Sequence, residues 1–140
     1  MPVLPQHRNK TFTTLLATLL GGVGGHRFYL KGLGDRWGWA HAVSLPLCGV
    51  VMSMAPQANW YFHYLPLALS MLVGFIEALV IGLTPDEKWD AAHNAASGRQ
   101  SNSGWFLALI LVATVMVGAA MMIATLARLF DLLYTGGAYG

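Results

Sequence analysis

Charge is scarce in this sequence. Asp, Glu, Lys and Arg together make up 10% of the 140 residues, against about 25% in a soluble domain. So thin a polar supply cannot cover a freely soluble globule, and a hydrophobic content of 56% points the same way, to a membrane protein. The net charge is only +2. Its basic residues are scattered among loops, with no patch interleaved with aromatics, so nucleic acid is not an expected partner. Cysteine is nearly absent as well. Cys48 stands alone inside an apolar run, which excludes a disulfide within the chain and a four-ligand zinc site built on it, and leaves a small packing residue. No Ser/His/Asp, Cys/His or paired-carboxylate set converges on one place, so neither an enzyme nor a metal or cofactor protein is expected.

What the sequence has in plenty is long apolar runs: Thr11 to Gly25, Trp37 to Ala55, Tyr61 to Leu83 and Trp105 to Phe130. A helix needs roughly 20 residues to cross about 30 Å of hydrocarbon. By that measure the last two runs are long enough, the second just suffices and the first is short. Within lipid all four should be helical, because a lone strand leaves its backbone unpaired. The expected fold is therefore all-α and polytopic, with four hydrophobic helices, the first of them short. Trp37, Trp39, Trp60 and Trp105 stand at the predicted segment starts, where amphipathic rings prefer the headgroup region.

Arg27, Lys31 and Arg36 follow the first segment, and Lys88 and Arg99 lie in the third connection, while residues 53–63 contain no Lys or Arg. The positive-inside rule then puts the first and third connections in the cytoplasm. A fully spanning first segment gives five basic residues inside and three outside; a shallow or re-entrant one gives seven and one. The expectation is a short, tilted first helix whose depth charge alone leaves open. Arg8 and Lys10 ahead of it also resemble the start of a secretory signal, but an anchoring span explains the same pattern and cleavage is not expected.

After the third segment, Thr84 suits an N-cap, Pro85 the first helical position and Glu87 the third, a capping-box arrangement. It predicts a short interfacial helix from Pro85 to about Ala95, with Trp89 at the membrane surface. Residues 97–104 are polar and turn-rich, a linker that would let the fourth helix be placed independently. The organisation expected is a membrane domain over residues 8–94, a linker over 95–104 and an additional C-terminal helix over 105–134. The end of the chain, after Tyr134, reads as mobile.

Small residues recur at every fourth position of two segments: Thr13, Ala17, Gly21 and Gly25 on the first, Ser70, Gly74, Ala78 and Gly82 on the third. Such stripes let helix backbones approach closely in lipid, so these two helices should pack together. Weaker stripes, Thr114 with Gly118 and Ala120 with Ala124, suit an internal or a partner contact.

Glu77 is the one acidic residue within the third run, about 9 Å of helical rise from its end at Leu83. A carboxylate at that depth needs a partner. Arg27 is the leading candidate, with His26, His41 and Tyr29 as alternatives. A helix-locking ion pair is the expected role, and a proton or cation relay the alternative. His26 and His41 could also be imagined as haem ligands, although each has a simpler use as an interfacial hydrogen-bonder. Gly21 to Gly25 lack the Lys-Ser/Thr ending of a phosphate loop.

The residues from Lys10 through TLLATLLGGVGGHRFYL resemble the signature of the TM-two (two-transmembrane-helix) domain family, also called NINE proteins. In that family a glycine-rich helix end runs into an HRFYLG-like turn. The matching positions are Gly21, Gly22, Gly25, His26, Arg27, Phe28, Tyr29 and Leu30. FIEALVIGLTPDEKWDAAHN, residues 75–94, resembles the closing part of the family, with Glu77 where an Asp is usual. Lys31 replaces the usual glycine, the connection over residues 32–68 is long enough to add a span, and the fourth segment lies outside the motif. The resemblance implies a multi-pass protein of the bacterial inner membrane and brings no catalytic residue or cofactor with it.

The reading that follows is a non-catalytic accessory or stabilising subunit. Its partners are other integral membrane proteins or further copies of itself, with lipid headgroups at Arg27, Lys31 and Arg36. The alternative is a small oligomeric channel or proton-coupled carrier using Glu77.

Overall fold

The computed structural model describes residues 6–139, and among them every regular element is helical. Asn9 sits in extended backbone where the sequence turns apolar, and its side chain accepts the Phe12 amide at 2.9 Å, capping α1, Lys10–Leu20. A 3₁₀ turn, Gly21–Val23, then leads to Gly24 at φ 77°, a left-handed conformation that lets α2, Gly25–Lys31, start in a new direction. The first apolar run is therefore not one short helix. It is an 11-residue helix and a glycine corner, and the HRFYL segment expected as a turn is itself helical.

Asp35 caps α3, Arg36–Ala42, by accepting the Gly38 amide at 3.0 Å. A break at Val43 separates α3 from α4, Ser44–Met54. Pro46 supplies the reason, since it has no N–H for the Ala42 carbonyl and its ring crowds that group. The second expected span is thus two short helices.

Asn59 caps α5, Trp60–Leu83, by accepting the Tyr61 amide at 3.0 Å. A short helix, α6, covers Asp86–His93, and α7 covers Trp105–Thr135. Two helices are individually long and apolar enough to cross a membrane: α5, with 24 residues and mean hydropathy 2.1, and α7, with 31 residues and mean hydropathy 2.6. The expected count of four spans reduces to these two, because glycine and proline interrupt the other apolar runs.

The centre of the molecule is α5, which packs against α1, α4 and α7. The contact with α1 is made by very small residues: Ala17 and Ala78 are fully buried, and the Gly21 backbone lies directly against Gly74. Gly82 faces Leu111 of α7 and Thr14, whereas Gly25 packs on Leu20 of its own chain segment. On α7 the two weak stripes part company. Thr114 is buried and meets the Thr18 hydroxyl at 2.8 Å, Gly118 lies against Phe75, and Ala120 and Ala124 are exposed. Buried threonine hydroxyls are satisfied within their own helices, Thr14 on Lys10 O at 2.9 Å and Thr114 on Ile110 O at 2.7 Å. The outer faces of α5 and α7 are apolar, with Ile76, Val80, Met116 and Ile123 exposed, as a lipid environment allows.

The region around α6 departs most from expectation. Pro85, in extended backbone, precedes the helix, and the Thr84 hydroxyl bonds back to Val80 O at 2.6 Å, so no capping box forms. Trp89 is buried, not interfacial, and its indole N–H donates to Arg8 O at 2.9 Å. Asn94 receives the Arg8 amide at 2.7 Å and donates to the Arg8 carbonyl at 3.1 Å. The polar connection to α7 is anchored by two carboxylates one turn apart. Asp90 takes the amide and hydroxyl of Ser101, and Asp86 those of Ser103, all at 2.6–2.8 Å. At the far end, Gly136 adopts φ 69° and the Tyr139 amide returns to Asp131, folding residues 136–139 onto the last turn of α7.

Lys10 closes this clamp. It is almost fully buried, with its ammonium 2.6 Å from both Thr84 O and an Asp86 oxygen. Burial alone would raise the Asp86 pKa, but hydrogen bonds from Lys10 and Ser103 and the Lys10 charge hold it down at about 2, from an ordinary 3.8. A depressed carboxyl pKa contributes stability that is fully present above the ordinary value and lost as pH falls through the folded one. Stability should therefore fall between about pH 3.8 and pH 2. Asp86→Asn should be less stable at neutral pH and flatter across that window. Unfolding measured against pH in detergent checks this, and an unchanged acid slope in the variant would remove the assignment to Asp86.

Candidate functional site: a carboxylate shared by arginine and two histidines

The glycine corner determines what Glu77 meets. Because Gly24 redirects the chain, the first turn of α2 brings His26 and Arg27 onto the side of α5 that carries Glu77. The Arg27 guanidinium grips one carboxylate oxygen through Nε at 2.8 Å and through Nη2. His26 Nε2 lies 2.7 Å from the other oxygen, and His41 Nε2, arriving from α3, lies 3.2 Å from it. Arg27 also faces Asp35 at 3.6 Å. The cluster thus sets one guanidinium against two carboxylates and adds two imidazoles. An ionised carboxylate only accepts, so the His26 nitrogen facing it carries the proton.

A second layer holds His41 in place. Its Nδ1 is 2.7 Å from Ser70 Oγ, and Ser70 donates to Gly22 O at 2.7 Å, so the proton between them belongs to His41. Ser44 reaches the same carbonyl at 3.2 Å. The Gly22 carbonyl, left without a helical partner where the first helix ends, is satisfied by two hydroxyls from neighbouring helices.

Of the partners weighed for Glu77, Arg27, His26 and His41 converge and Tyr29 does not. Tyr29 Oη accepts the Asn9 amide at 3.4 Å and its ring lies under Arg8. Phe28 packs edge-on to Trp39 at 5.4 Å, over Gly38, joining α2 to α3. The His26 and His41 rings are 6.0 Å apart with both Nε2 atoms directed to one oxygen, a geometry with no space for a porphyrin between them. His63 is elsewhere, bonded to Ala55 O at 2.9 Å.

Beside Glu77 a groove of about 360 Å³ opens, bordered by His26, Arg27 and Lys31 from α2, by Val80 and Ile81 from α5, and by His93 from α6. Arg36 lies away from it, in a separate groove with Trp37 and Ala40. The charge-bearing residues that sequence reasoning passed over are Lys10 with Asp86, and His93. The buried Lys10 had a signal in its place at a polar-to-apolar boundary; His93 had none.

Two apolar helices, a close-packed glycine contact and a part-buried ionic cluster define a small α-helical membrane protein. The family model of the TM2 domain matches residues 6–53, and the chain carries a TM2 domain over that segment. The match takes in α1 to α4 and ends before α5. Glu77 and residues 75–94, which resemble the closing part of the family, therefore lie beyond it. No curated protein and no solved structure matches the chain.

Proposed function

We propose that this chain is a non-catalytic accessory or stabilising subunit of a larger assembly in the bacterial inner membrane, with lipid headgroups as further contacts. The connections after the first and third apolar runs face the cytoplasm, and the α3–α4 pair and α1 enter the membrane beside α5. The observation that carries this reading is the saturation of Glu77. A carboxylate gripped by Arg27 and flanked by two imidazoles is suited to tying α2, α3 and α5 together, and poorly suited to releasing a cargo ion. Meanwhile the outer face of α7 presents Val112, Met116 and Ile123 uncovered, a surface able to pack against a neighbouring helix.

One observation favours the proton-coupled alternative: His26 is hydrogen-bonded to Glu77, and His41, hydrogen-bonded to Ser70, stands 3.2 Å from the same carboxylate, so groups able to carry a proton lie within reach of one another. The same experiment separates the two readings. The protein is extracted with its surrounding lipid in a nanodisc-forming polymer, and the mass of the intact assembly is measured. The expected result is this chain together with a defined set of larger proteins. A lone monomer would overturn the proposal, and so would a homo-oligomer whose proton flux in vesicles disappears in a folded Glu77→Gln variant.

A further inference from the structure

Two buried side-chain nitrogens or oxygens among the described residues have no hydrogen-bond partner, His26 Nδ1 and His93 Nδ1. Both residues border the groove beside Glu77. His26 is 1% exposed, so water does not readily replace the missing partner, and a buried polar atom left unpaired is costly. Lys31 stands at the same groove, and among the described residues it forms no ion pair, while Val80 and Ile81 supply an apolar wall.

We infer that this groove binds a phosphate oxyanion carrying an O–H group. The chemistry follows from the donor inventory. His26 directs its Nε2 proton at Glu77, and in the neutral tautomer that carries this proton Nδ1 is a bare acceptor that needs a donor, whereas the Lys31 ammonium needs an acceptor. A group with both a charged oxygen and a hydroxyl meets both needs at once. The phosphoglycerol headgroup of an anionic lipid has this composition, with acyl chains running along Val80 and Ile81, and so has free hydrogen phosphate. The two unpaired imidazoles then hold the ligand, while Arg27 stays engaged with Glu77 and Asp35. This rests on the lipid-contact part of the proposed function and is independent of any protein partner.

The test uses the full chain in detergent, with ¹⁵N-labelled histidine. Native mass spectra are recorded with phosphatidylglycerol and with phosphatidylcholine of the same acyl chains, and imidazole nitrogen resonances are followed as inorganic phosphate is added. Phosphatidylglycerol should be retained about tenfold over phosphatidylcholine, a discrimination worth one charge-assisted hydrogen bond. Lys31→Gln and His93→Phe, the latter keeping the ring stacked on Trp89, should each reduce that retention about fivefold or more. Inorganic phosphate moving the His26 and His93 resonances with no lipid preference supports the oxyanion site and assigns it to the free ion. Equal retention of the two lipids with neither resonance moved by phosphate overturns the inference, as does wild-type retention in both variants. An assembly mass showing no protein partner would leave the lipid preference untouched, so the two proposals fail separately.

Discussion

Arg27→Met should destabilise the folded protein by about 3 kcal/mol, at the lower end of the range for removing one partner of a buried ion pair because this pair is only part-buried. Methionine keeps most of the apolar stem and deletes the guanidinium, so the loss reports charge and hydrogen bonds more than packing. Glu77 would then remain within α5 with two imidazoles but no permanent cation, while Asp35 would lose its only ion-pair partner among the described residues. His26 keeps the loss from reaching the top of the range, because its Nε2–H still reaches the carboxylate.

The pattern across three variants separates a charge lock from ordinary packing. Glu77→Gln should cost less than Arg27→Met, about 1–2 kcal/mol, since an amide still accepts one hydrogen bond and leaves no anion in the span. The double variant should be more stable than Arg27→Met alone, because the isolated carboxylate is gone. Reversible unfolding in mixed micelles measures all three. An Arg27→Met variant within 1 kcal/mol of wild type, or a double variant whose losses simply add, would show that the pair contributes little beyond volume.

The parts of this structure legible in the sequence are those whose cause is local or chemically unavoidable. Runs of apolar residues mark α5 and α7 by length alone, and a carboxylate at the depth of Glu77 demands cations, of which Arg27 stood nearest a segment boundary. The Gly21 and Gly74 positions were legible as small residues but not as each other's partners, because helical spacing gives the face and leaves the register open. Where the fold departs from the local pattern, a competing contact takes the group that the pattern would use. Thr84, Pro85 and Glu87 spell a capping box, yet the Thr84 hydroxyl takes the Val80 carbonyl, and Lys10, 74 residues away in sequence, occupies the Thr84 carbonyl. Trp89 reads as interfacial because amphipathic rings near a span prefer the headgroup region. Its actual partner, the Arg8 carbonyl, is a long-range contact that no local window contains. The polar residues 97–104 likewise read as a loose linker until Asp86 and Asp90 are seen to hold Ser103 and Ser101.

Gly74→Val should be the other severe substitution, for a reason that involves no charge. A Cβ at Gly74 would lie 2.7 Å from both Cα and C of Gly21, and one at Gly21 would lie 2.8 Å from the Gly74 Cα. Those neighbours are backbone, which cannot rotate aside, so α1 and α5 must move apart by roughly 1 Å to restore ordinary contact at about 3.5–4 Å. Separation loosens the Ala17 and Ala78 packing and stretches the Ser70 bond to Gly22 O, which positions His41 against Glu77. Overpacking of this kind costs about 1–3 kcal/mol, and a β-branched side chain against backbone belongs at the upper end. Gly74→Ala should cost less, because better helix propensity returns about 0.5–1 kcal/mol. Gly49→Ala is the control: nothing lies within 4 Å of its added carbon, so the same propensity gain should appear as a net stabilisation. Unfolding free energies ordered Gly49→Ala above wild type, then Gly74→Ala, then Gly74→Val would show that backbone contact at this crossing, rather than helix propensity, decides how α1 and α5 pack. If Gly74→Val unfolded like wild type, the two helices would have to be held by the ionic cluster alone.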